Sequence, residues 1–188
     1  MKEKIHKYFN RYVEFNRDEI NEFYSKIKIK TFDKKEYILK EGQICNNRYF
    51  ILEGLVRSFY TDYKGNEKII QFALENWWIT DTDSFINQIP SFSSIQTLEK
   101  TTVLILNKKD LETLYFSNTK LERLFRMISE KTLIAIQRKA NFYLQMNSKD
   151  RYNLFTTQFP IFAQRVPQYM IASYLEITPE YLSEIRSK

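Results

Sequence analysis

The first hundred residues change from a helical to a strand-like hydrophobic pattern. Residues 5–24 carry apolar and aromatic side chains at spacings of three and four, which predicts an amphipathic helix or a pair of helices. From residue 27 onwards, short runs of β-branched and aromatic residues are separated by turn residues, as in β-strands. The predicted strands cover residues 27–32, 37–39, 48–52, 55–61, 67–74, 95–98 and 102–106. Many short strands predict a roll or barrel.

Turn residues support these strands. All three glycines of the chain fall between predicted strands, and Gly65 lies in the polar loop 62–66, which indicates a β-hairpin. The stretch around Pro90 shows neither a helical nor a strand period, and we predict that it is irregular. No further strand is predicted after residue 106.

The second half of the chain is predicted to be helical. A short helix at residues 110–115 precedes a segment without glycine or proline, from about residue 118 to 146, which is long enough for about eight turns. Side chains at heptad-like spacing form a seam along it, interrupted by Lys139: Phe125, Ile128, Thr132, Ala135, Phe142 and Met146. The seam predicts a dimerisation helix, because so long a helix outreaches a small roll. Packing of the helix on its own domain is the alternative.

The last forty residues contain start and stop signals for three more helices. Ser148 is a candidate N-cap for a helix that ends before Pro160. Pro167 precedes a second helix, and Thr178 followed by Pro179 begins the last one. The side chains predicted to face inward from the last two helices are Met170, Ile171, Leu175, Leu182 and Ile185.

Two short helices joined by a three-residue turn form a helix-turn-helix, which binds DNA by placing its second helix in the major groove. Outward side chains of that helix suit base edges, and the N terminus of the helix before it suits phosphates. The candidate DNA contacts are Gln168, Tyr169, Thr178, Glu180, Tyr181, Ser183, Glu184, Arg186, Ser187 and Lys188. A small helical packing module would show the same pattern.

Charge is concentrated in one segment of an otherwise balanced chain. Of the net charge of +6, residues 118–147 contribute +4, and the segments on either side contribute +1 each. A basic helix attracts DNA, although a solvated helix face carries the same charge. Since phosphate contacts dominate affinity, the nearly neutral terminal segment is expected to need the dimer and the central helix to bind DNA.

Residue counts exclude most enzymes and metal sites. The chain contains one cysteine, Cys45, and one histidine, His6. A single cysteine excludes a disulfide framework, and the two residues together are too few for a zinc, haem or iron–sulfur site. A cupin-like enzyme is excluded as well, because its metal is bound by several histidines. Asp81 and Asp83 are two residues apart, a spacing that is more typical of loop or capping residues than of a catalytic pair of carboxylates. We therefore expect no enzymatic activity. The charged N terminus and the lack of a run of about 20 apolar residues predict a cytoplasmic protein.

The order of these parts resembles the Crp/Fnr family of bacterial transcription regulators over nearly the whole chain. The resemblance rests on Leu39-Lys-Glu-Gly-Gln, Tyr49-Phe-Ile-Leu-Glu-Gly-Leu-Val-Arg, Tyr63-Lys-Gly-Asn-Glu, Arg165-Val-Pro, Ile171-Ala-Ser-Tyr-Leu and Ile177-Thr-Pro-Glu-Tyr-Leu-Ser-Glu-Ile-Arg. The last segments look most like the family's Bacteroidetes-type branch. The resemblance implies an α+β fold: a cyclic-nucleotide-binding-like β roll (jelly roll) with N-terminal helices at residues 1–117, a dimerisation helix at 118–147 and the helix-turn-helix at 148–188.

Departures from the family pattern limit what the resemblance implies. Relatives that bind cyclic AMP hold it with a Gly-Glu and an Arg-Ser or Arg-Thr pair, and the matching positions here are Thr80, Asp81, Ser93 and Ser94. Without an arginine, the phosphate lacks a bidentate partner. Cyclic AMP is therefore not the expected effector: the roll either holds another small molecule, with Tyr60, Trp77 or Trp78 as candidate contacts, or these aromatic residues are simply core. Glu184 stands where many relatives carry an arginine that reads guanine, so the base preference is expected to differ.

The predicted function is that of a homodimeric DNA-binding transcription regulator, in which the state of the roll sets the spacing of two recognition helices. Its implied partners are double-stranded DNA and a second copy of the chain, with RNA polymerase as a further candidate and no membrane. The β-hairpin wing of many relatives is expected to be truncated or missing after Lys188. The alternative is a ligand-binding or protein-interaction module whose C-terminal helices only pack.

Overall fold

Two antiparallel four-stranded sheets form a roll. The computed structural model describes residues 2–187. The strands are β1 (Ile27–Phe32), β2 (Tyr37–Leu39), β3 (Asn47–Glu53), β4 (Val56–Thr61), β5 (Glu67–Ala73), β6 (Trp78–Ile79), β7 (Ser94–Thr97) and β8 (Thr101–Asn107). Their order is β1-β8-β3-β6 in one sheet and β2-β7-β4-β5 in the other, which leaves β5 at an edge. Every predicted strand is present within one residue of its predicted ends, and the predicted roll is confirmed.

Nine helices lie among the described residues. They are α1 (Lys2–Phe9), α2 (Arg17–Ser25), α3 (Thr82–Asn87), α4 (Lys108–Ser117), α5 (Thr119–Gln145), α6 (Ser148–Gln158), α7 (Pro160–Arg165), α8 (Gln168–Leu175) and α9 (Pro179–Ser187). The predicted N-terminal helix pair is α1 and α2, whose Ile5, Phe9 and Phe23 are fully buried against the roll. None of the helices between residues 2 and 187 is both long and apolar enough to cross a membrane.

Three elements differ from the prediction. The stretch predicted as irregular contains β6 and α3, which are too short to show a hydrophobic period. Asn147, and not Ser148, is the N-cap of α6, since its side chain accepts a hydrogen bond from the backbone N–H of Asp150. Pro160 does more than end a helix: it is the first residue of α7, where its missing N–H costs nothing.

The turn between β3 and β4 requires glycine. Gly54 has a φ of +107°, and a Cβ atom at this position would lie 2.8 Å from the Cα of Thr101, at the start of β8. Any larger residue would have to push the β3–β4 turn away from the β7–β8 turn, because the neighbouring atom of Thr101 belongs to the backbone. Gly54 therefore fixes where the two sheets meet.

Two residues of the predicted dimer seam of α5 pack against their own chain, and for these two the prediction is corrected. Phe125 and Ile128 are buried in the roll core of the same protomer. Phe142, near the other end of the seam, is half-buried, and Thr132 and Ala135 in the middle are exposed. Hydrophobic periodicity shows that one face of a helix is covered, but it does not show whether the same chain or a partner covers it. For Phe125 and Ile128, the alternative prediction, packing on their own domain, is the correct one.

The opposite face of α5 is apolar and open. Its four apolar side chains, at spacings of three and four, are called the outer stripe: Leu133, Ile136, Ala140 and Leu144. Leu133 is 55% exposed, Ile136 61% and Leu144 85%. Contiguous exposed apolar side chains on a helix mark an interaction surface.

A second core joins the roll to the C-terminal helices. The roll contributes Leu55, Phe59, Ile69, Phe72 and Leu74, and the helices contribute Phe155, Phe162, Val166, Met170, Ile171, Ala172, Leu175 and Leu182. Of the side chains predicted to face inward, all are buried except Ile185, which is half-buried. The outer face of β4 and β5 is therefore an interior surface of the protein.

Candidate functional site

Helices α8 and α9 form the helix-turn-helix. Glu176 ends α8 in the left-handed conformation, with a φ of 56°, and its N–H donates to the carbonyl of Ala172. The hydroxyl oxygen of Thr178 accepts from the backbone N–H of Tyr181 at 3.2 Å, and Pro179 is the first residue of α9. Ala172 is fully buried, as a close crossing of two helices requires. The caps therefore end α8 and start α9 where the sequence signals predict.

The outward face of α9 is open to a partner. Its exposed candidates for DNA contact are Glu180, Tyr181, Ser183, Glu184, Arg186 and Ser187. At the start of α8, Tyr169 is exposed and Gln168 is half-buried, with its Nε2 3.5 Å from the carbonyl oxygen of Ala163. Lys188, the remaining candidate, lies outside the described residues. Among the sequence candidates, Thr178 serves as a cap, and the α9 side chains form an exposed polar surface.

Lys149 is a candidate that the sequence pattern did not single out. It lies in the first turn of α6 and lines a small pocket of about 80 Å³ with Tyr181, Glu184 and Ile185 of α9. Lys149 is exposed, so its ammonium group adds a positive charge beside the polar face of α9. Only packing brings α6 and α9 together, so no local motif indicates this position.

Lys139, the defect in the predicted seam, is half-buried on the side of α5 that faces α8. Its Nζ lies 3.7 Å from the centroid of the Tyr174 ring, and the hydroxyl of Tyr143 donates to the carbonyl of Tyr174 at 2.5 Å. Burial lowers the pKa of Lys139 to about 8, although the charge of Glu176 acts in the opposite direction. A cation over an aromatic ring thus connects α5 to the helix-turn-helix.

Replacing this lysine is expected to stabilise the protein. Lys139→Met removes a charge whose burial costs free energy, while the lost contact with the Tyr174 ring offsets part of the gain, so the free energy of unfolding should rise by about 1 kcal/mol at pH 7. The folded chain binds fewer protons than the unfolded chain between pH 8 and 10.5, so this advantage should fade across that window. Urea unfolding at several pH values measures both effects.

Lys131→Met provides the matched control. Lys131 is an exposed lysine of α5 that also lies over a tyrosine ring, 4.2 Å from the centroid of Tyr12. Its replacement should leave both the stability at pH 7 and the pH profile within about 0.5 kcal/mol of the starting protein. A Lys139→Met protein with the same pH profile as the control would contradict the burial of a charged amine.

The positions that match a cyclic nucleotide site in the family are engaged in contacts within the chain. Asp81 is buried, and its Oδ1 accepts from the backbone N–H of Ser84 at 3.1 Å, which caps α3. The hydroxyls of Ser91 and Ser93 donate to its Oδ2 at 2.6 and 3.3 Å. These three donors surround a carboxylate that already belongs to the chain, so an anionic ligand group would meet a negative charge there.

The other two predicted pocket residues point elsewhere. Thr80 donates to the carbonyl of Asn47 at 3.0 Å and lies 3.2 Å from the thiol of buried Cys45. The hydroxyl oxygen of Ser94 accepts from the backbone N–H of Glu41 at 3.0 Å. The structure therefore brings Asp81 and Ser93 together but places Thr80 and Ser94 in separate hydrogen bonds. Within residues 2–187, no three His, Cys, Asp or Glu side chains lie close enough to hold a metal ion.

Comparison with known proteins relates this architecture to a family. Residues 29–118, which run from within β1 to the end of α4, match the cyclic nucleotide-binding domain family. No curated protein matches the sequence significantly.

Several solved regulators share the fold. FixK2 from Bradyrhizobium japonicum has a TM-score of 0.73 at 16% identity, over 86% of this chain and 83% of that one. The c-di-GMP responsive regulator CLP from Xanthomonas campestris has 0.74 at 13% identity, over 92% and 90%. The catabolite activator protein of Thermus thermophilus has 0.60 at 14%, over 92% and 83%. At identities this low, the structural likeness shows a common fold and nothing more. It confirms the predicted α+β class.

Proposed function

With residues 29–118 belonging to the cyclic nucleotide-binding domain family and the chain folded as Crp/Fnr regulators are, we propose that the protein is a cytoplasmic transcription regulator that binds palindromic DNA as a homodimer. Helices α8 and α9 contact the DNA, and the roll is the sensor. The outer stripe of α5 joins two copies. A contact with RNA polymerase and membership of the Bacteroidetes-type branch remain predictions from the resemblance.

The exposed, polar face of α9 carries this proposal. Its inner side chain Leu182 is 1% exposed, so the helix is fixed against α8, and every outward candidate is open to solvent. Serine, glutamate and arginine supply the donors and acceptors that read base edges in the major groove. Lys149 and the basic residues of α5 add positive charge for the phosphates.

Selection from a random pool of double-stranded DNA tests the proposal directly. The full chain should enrich a palindrome whose half-sites lie about one helical turn apart, because two recognition helices related by a two-fold axis engage successive major grooves. Binding should weaken steeply as salt rises. If no sequence is enriched at moderate salt and binding does not respond to salt, the chain is instead a ligand-binding or protein-interaction module.

We further propose that the effector of the roll is not cyclic AMP and does not place a phosphate beside Asp81. The donors at this position are already bound to the Asp81 carboxylate, and no arginine occupies the matching positions. A ligand at about 100 times its Kd adds about 2.7 kcal/mol to stability. Neither cyclic AMP nor cyclic di-GMP, the ligand named for the Xanthomonas regulator, should raise the melting temperature of this protein at millimolar concentration.

Asp81→Ala is expected to destabilise the roll by about 2–3 kcal/mol, because it removes a helix cap and the shared acceptor of two buried hydroxyls, of which only that of Ser91 has the carbonyl of Ser93 as another acceptor. Asp83→Ala is the control: Asp83 lies in α3 as well but is exposed and binds only the side chain of Asn87. Thermal and urea unfolding with and without each nucleotide measure both effects. Equal stability of the two variants, or stabilisation of the unaltered protein by cyclic AMP, would contradict the proposed role of Asp81.

A further inference from the structure

The first helix of the helix-turn-helix covers the open edge of the roll. Strand β5 ends its sheet, so its outer backbone groups have no partner strand. The hydroxyl of Ser173 in α8 accepts from the backbone N–H of Ile69 and donates to the carbonyl of Glu67, both at 3.1 Å. The Tyr174 ring packs on Phe72 at 5.4 Å between centroids. Helix α8 is thus attached to the sensor sheet by backbone groups as well as by apolar contact.

Arg165, the last residue of α7, connects the C-terminal helices to two loops of the roll. Its guanidinium binds Glu75 with both terminal nitrogens, at 3.0 and 3.1 Å, and contacts Glu99 through Nε at 3.4 Å and through Nη2. Glu75 also accepts from the backbone N–H of Gly54 at 2.9 Å. Planar, bidentate contacts of this kind fix orientation as well as distance.

The charges at this junction are mutually stabilised. Hydrogen bonds to Glu75 and then to Glu99 raise the pKa of Arg165. Burial acts to raise the pKa of Glu75, but the hydrogen bonds from Arg165 and from backbone N–H groups, together with the charge of Arg165, outweigh it and hold this pKa below its ordinary value. Arg165, Glu75 and Glu99 are all only partly exposed, so water and salt screen the contact less than they screen a surface pair.

We propose that Arg165 is a positioning residue for DNA recognition: by binding Glu75 and Glu99 it fixes α8 on the edge of β5 and so sets the distance between the two recognition helices of the dimer. This inference rests on the proposed function. Helix α9 follows α8 after a three-residue turn, and therefore moves with it. Since base pairs are stacked about 3.4 Å apart, a shift of α9 by a few ångströms changes the preferred half-site spacing by about one base pair.

The test uses full-length proteins and DNA in which one fixed half-site is repeated with spacers of varied length. The half-site is the one that the unaltered protein enriches from a random pool, so a failure of the proposed function is seen before any variant is made. The unaltered protein should select one spacing. Arg165→Met should keep the same bases in each half-site, spread the selected spacing to neighbouring values, and bind the original palindrome about tenfold more weakly. Its affinity for a single half-site should not change.

Three further variants sharpen the result. Ser173→Ala removes the two contacts to the edge of β5 without touching the ion pairs and should also broaden the spacing, which keeps the test available if Arg165→Met unfolds. Arg165→Lys keeps the charge but not the planar, bidentate contact, so it should broaden the spacing less than Arg165→Met does. Arg123→Met, at an exposed arginine of α5, should leave the spacing unchanged. The proposal is overturned if both Arg165→Met and Ser173→Ala select the original spacing alone, or if they change the half-site bases.

Discussion

Placing glutamate at Leu133 is expected to separate the dimer into monomers and to weaken binding to the palindromic site by about 100-fold or more. Leu133 lies near the start of the outer stripe, whose side chains are apolar although solvent surrounds them in the single chain. In a two-fold dimer formed through the outer stripe, each copy of Leu133 is buried against the partner, so the variant buries two charges. A monomer engages one half-site and loses the gain from simultaneous binding.

Asn141→Glu is the control for this variant. Asn141 is an exposed residue of the same helix outside the outer stripe, and its replacement adds the same charge. Sedimentation velocity across a range of concentrations reports the oligomeric state, and titration of labelled palindromic DNA reports affinity. A Leu133→Glu protein that stays dimeric and binds DNA like the control would place the interface elsewhere. Both variants should keep the unfolding behaviour of the roll, because neither position lies in its core.

Phe162→Ala is expected to lower the free energy of unfolding by about 3–5 kcal/mol, because it leaves a cavity at the junction of the roll and the C-terminal helices. The Phe162 ring lies 5.5 Å from Phe72 and 6.0 Å from Trp77 of the roll, and 5.9 Å from Phe155 of α6. Since Phe72, Phe155 and Phe162 belong to one buried cluster, the roll and the helix-turn-helix should unfold in one transition in the unaltered protein.

Urea unfolding followed by circular dichroism, at one fixed protein concentration, measures this loss. Phe116→Ala is the control, since Phe116 is 91% exposed on α4 and its removal should change stability by less than about 0.5 kcal/mol. If the Phe162→Ala protein shows an early transition of the C-terminal helices alone, the two parts are separate units. If it unfolds at the same midpoint as the control, the junction contributes little to the fold.

Strands and caps were predictable because their signals are local. The runs 27–32 and 37–39 carry β-branched and aromatic residues between turn signals, and the strands have those bounds. Thr178 and Pro179 likewise mark the start of α9 within the sequence itself. Where the physical cause of an element lies within a few residues, as in these cases, the sequence pattern is sufficient.

Contacts between distant segments were not predictable. The face of α5 that carries Phe125 has the spacing of a dimer seam, but burial by the chain's own roll produces the same spacing. Arg165 lies 90 residues from Glu75 along the chain, so nothing near either residue indicates the ion pair. Lys149 lies beside α9 because the fold brings α6 next to it, and no residue near Lys149 in the sequence indicates this position. The positions that the sequence missed are those at which one part of the protein is fixed against another.

The cover over β5 also has a consequence for synthesis of the chain. Ser173 follows Ile69 by 104 residues, and at about 5–20 residues per second a ribosome needs about 5–20 s to add them. During that interval the edge of β5 is unpaired in the nascent chain, and the apolar side chains of Phe72 and Leu74 are exposed to solvent. A sensor domain produced without residues 148–187 would retain this exposure permanently. We therefore expect the roll produced alone to aggregate more readily than the full chain.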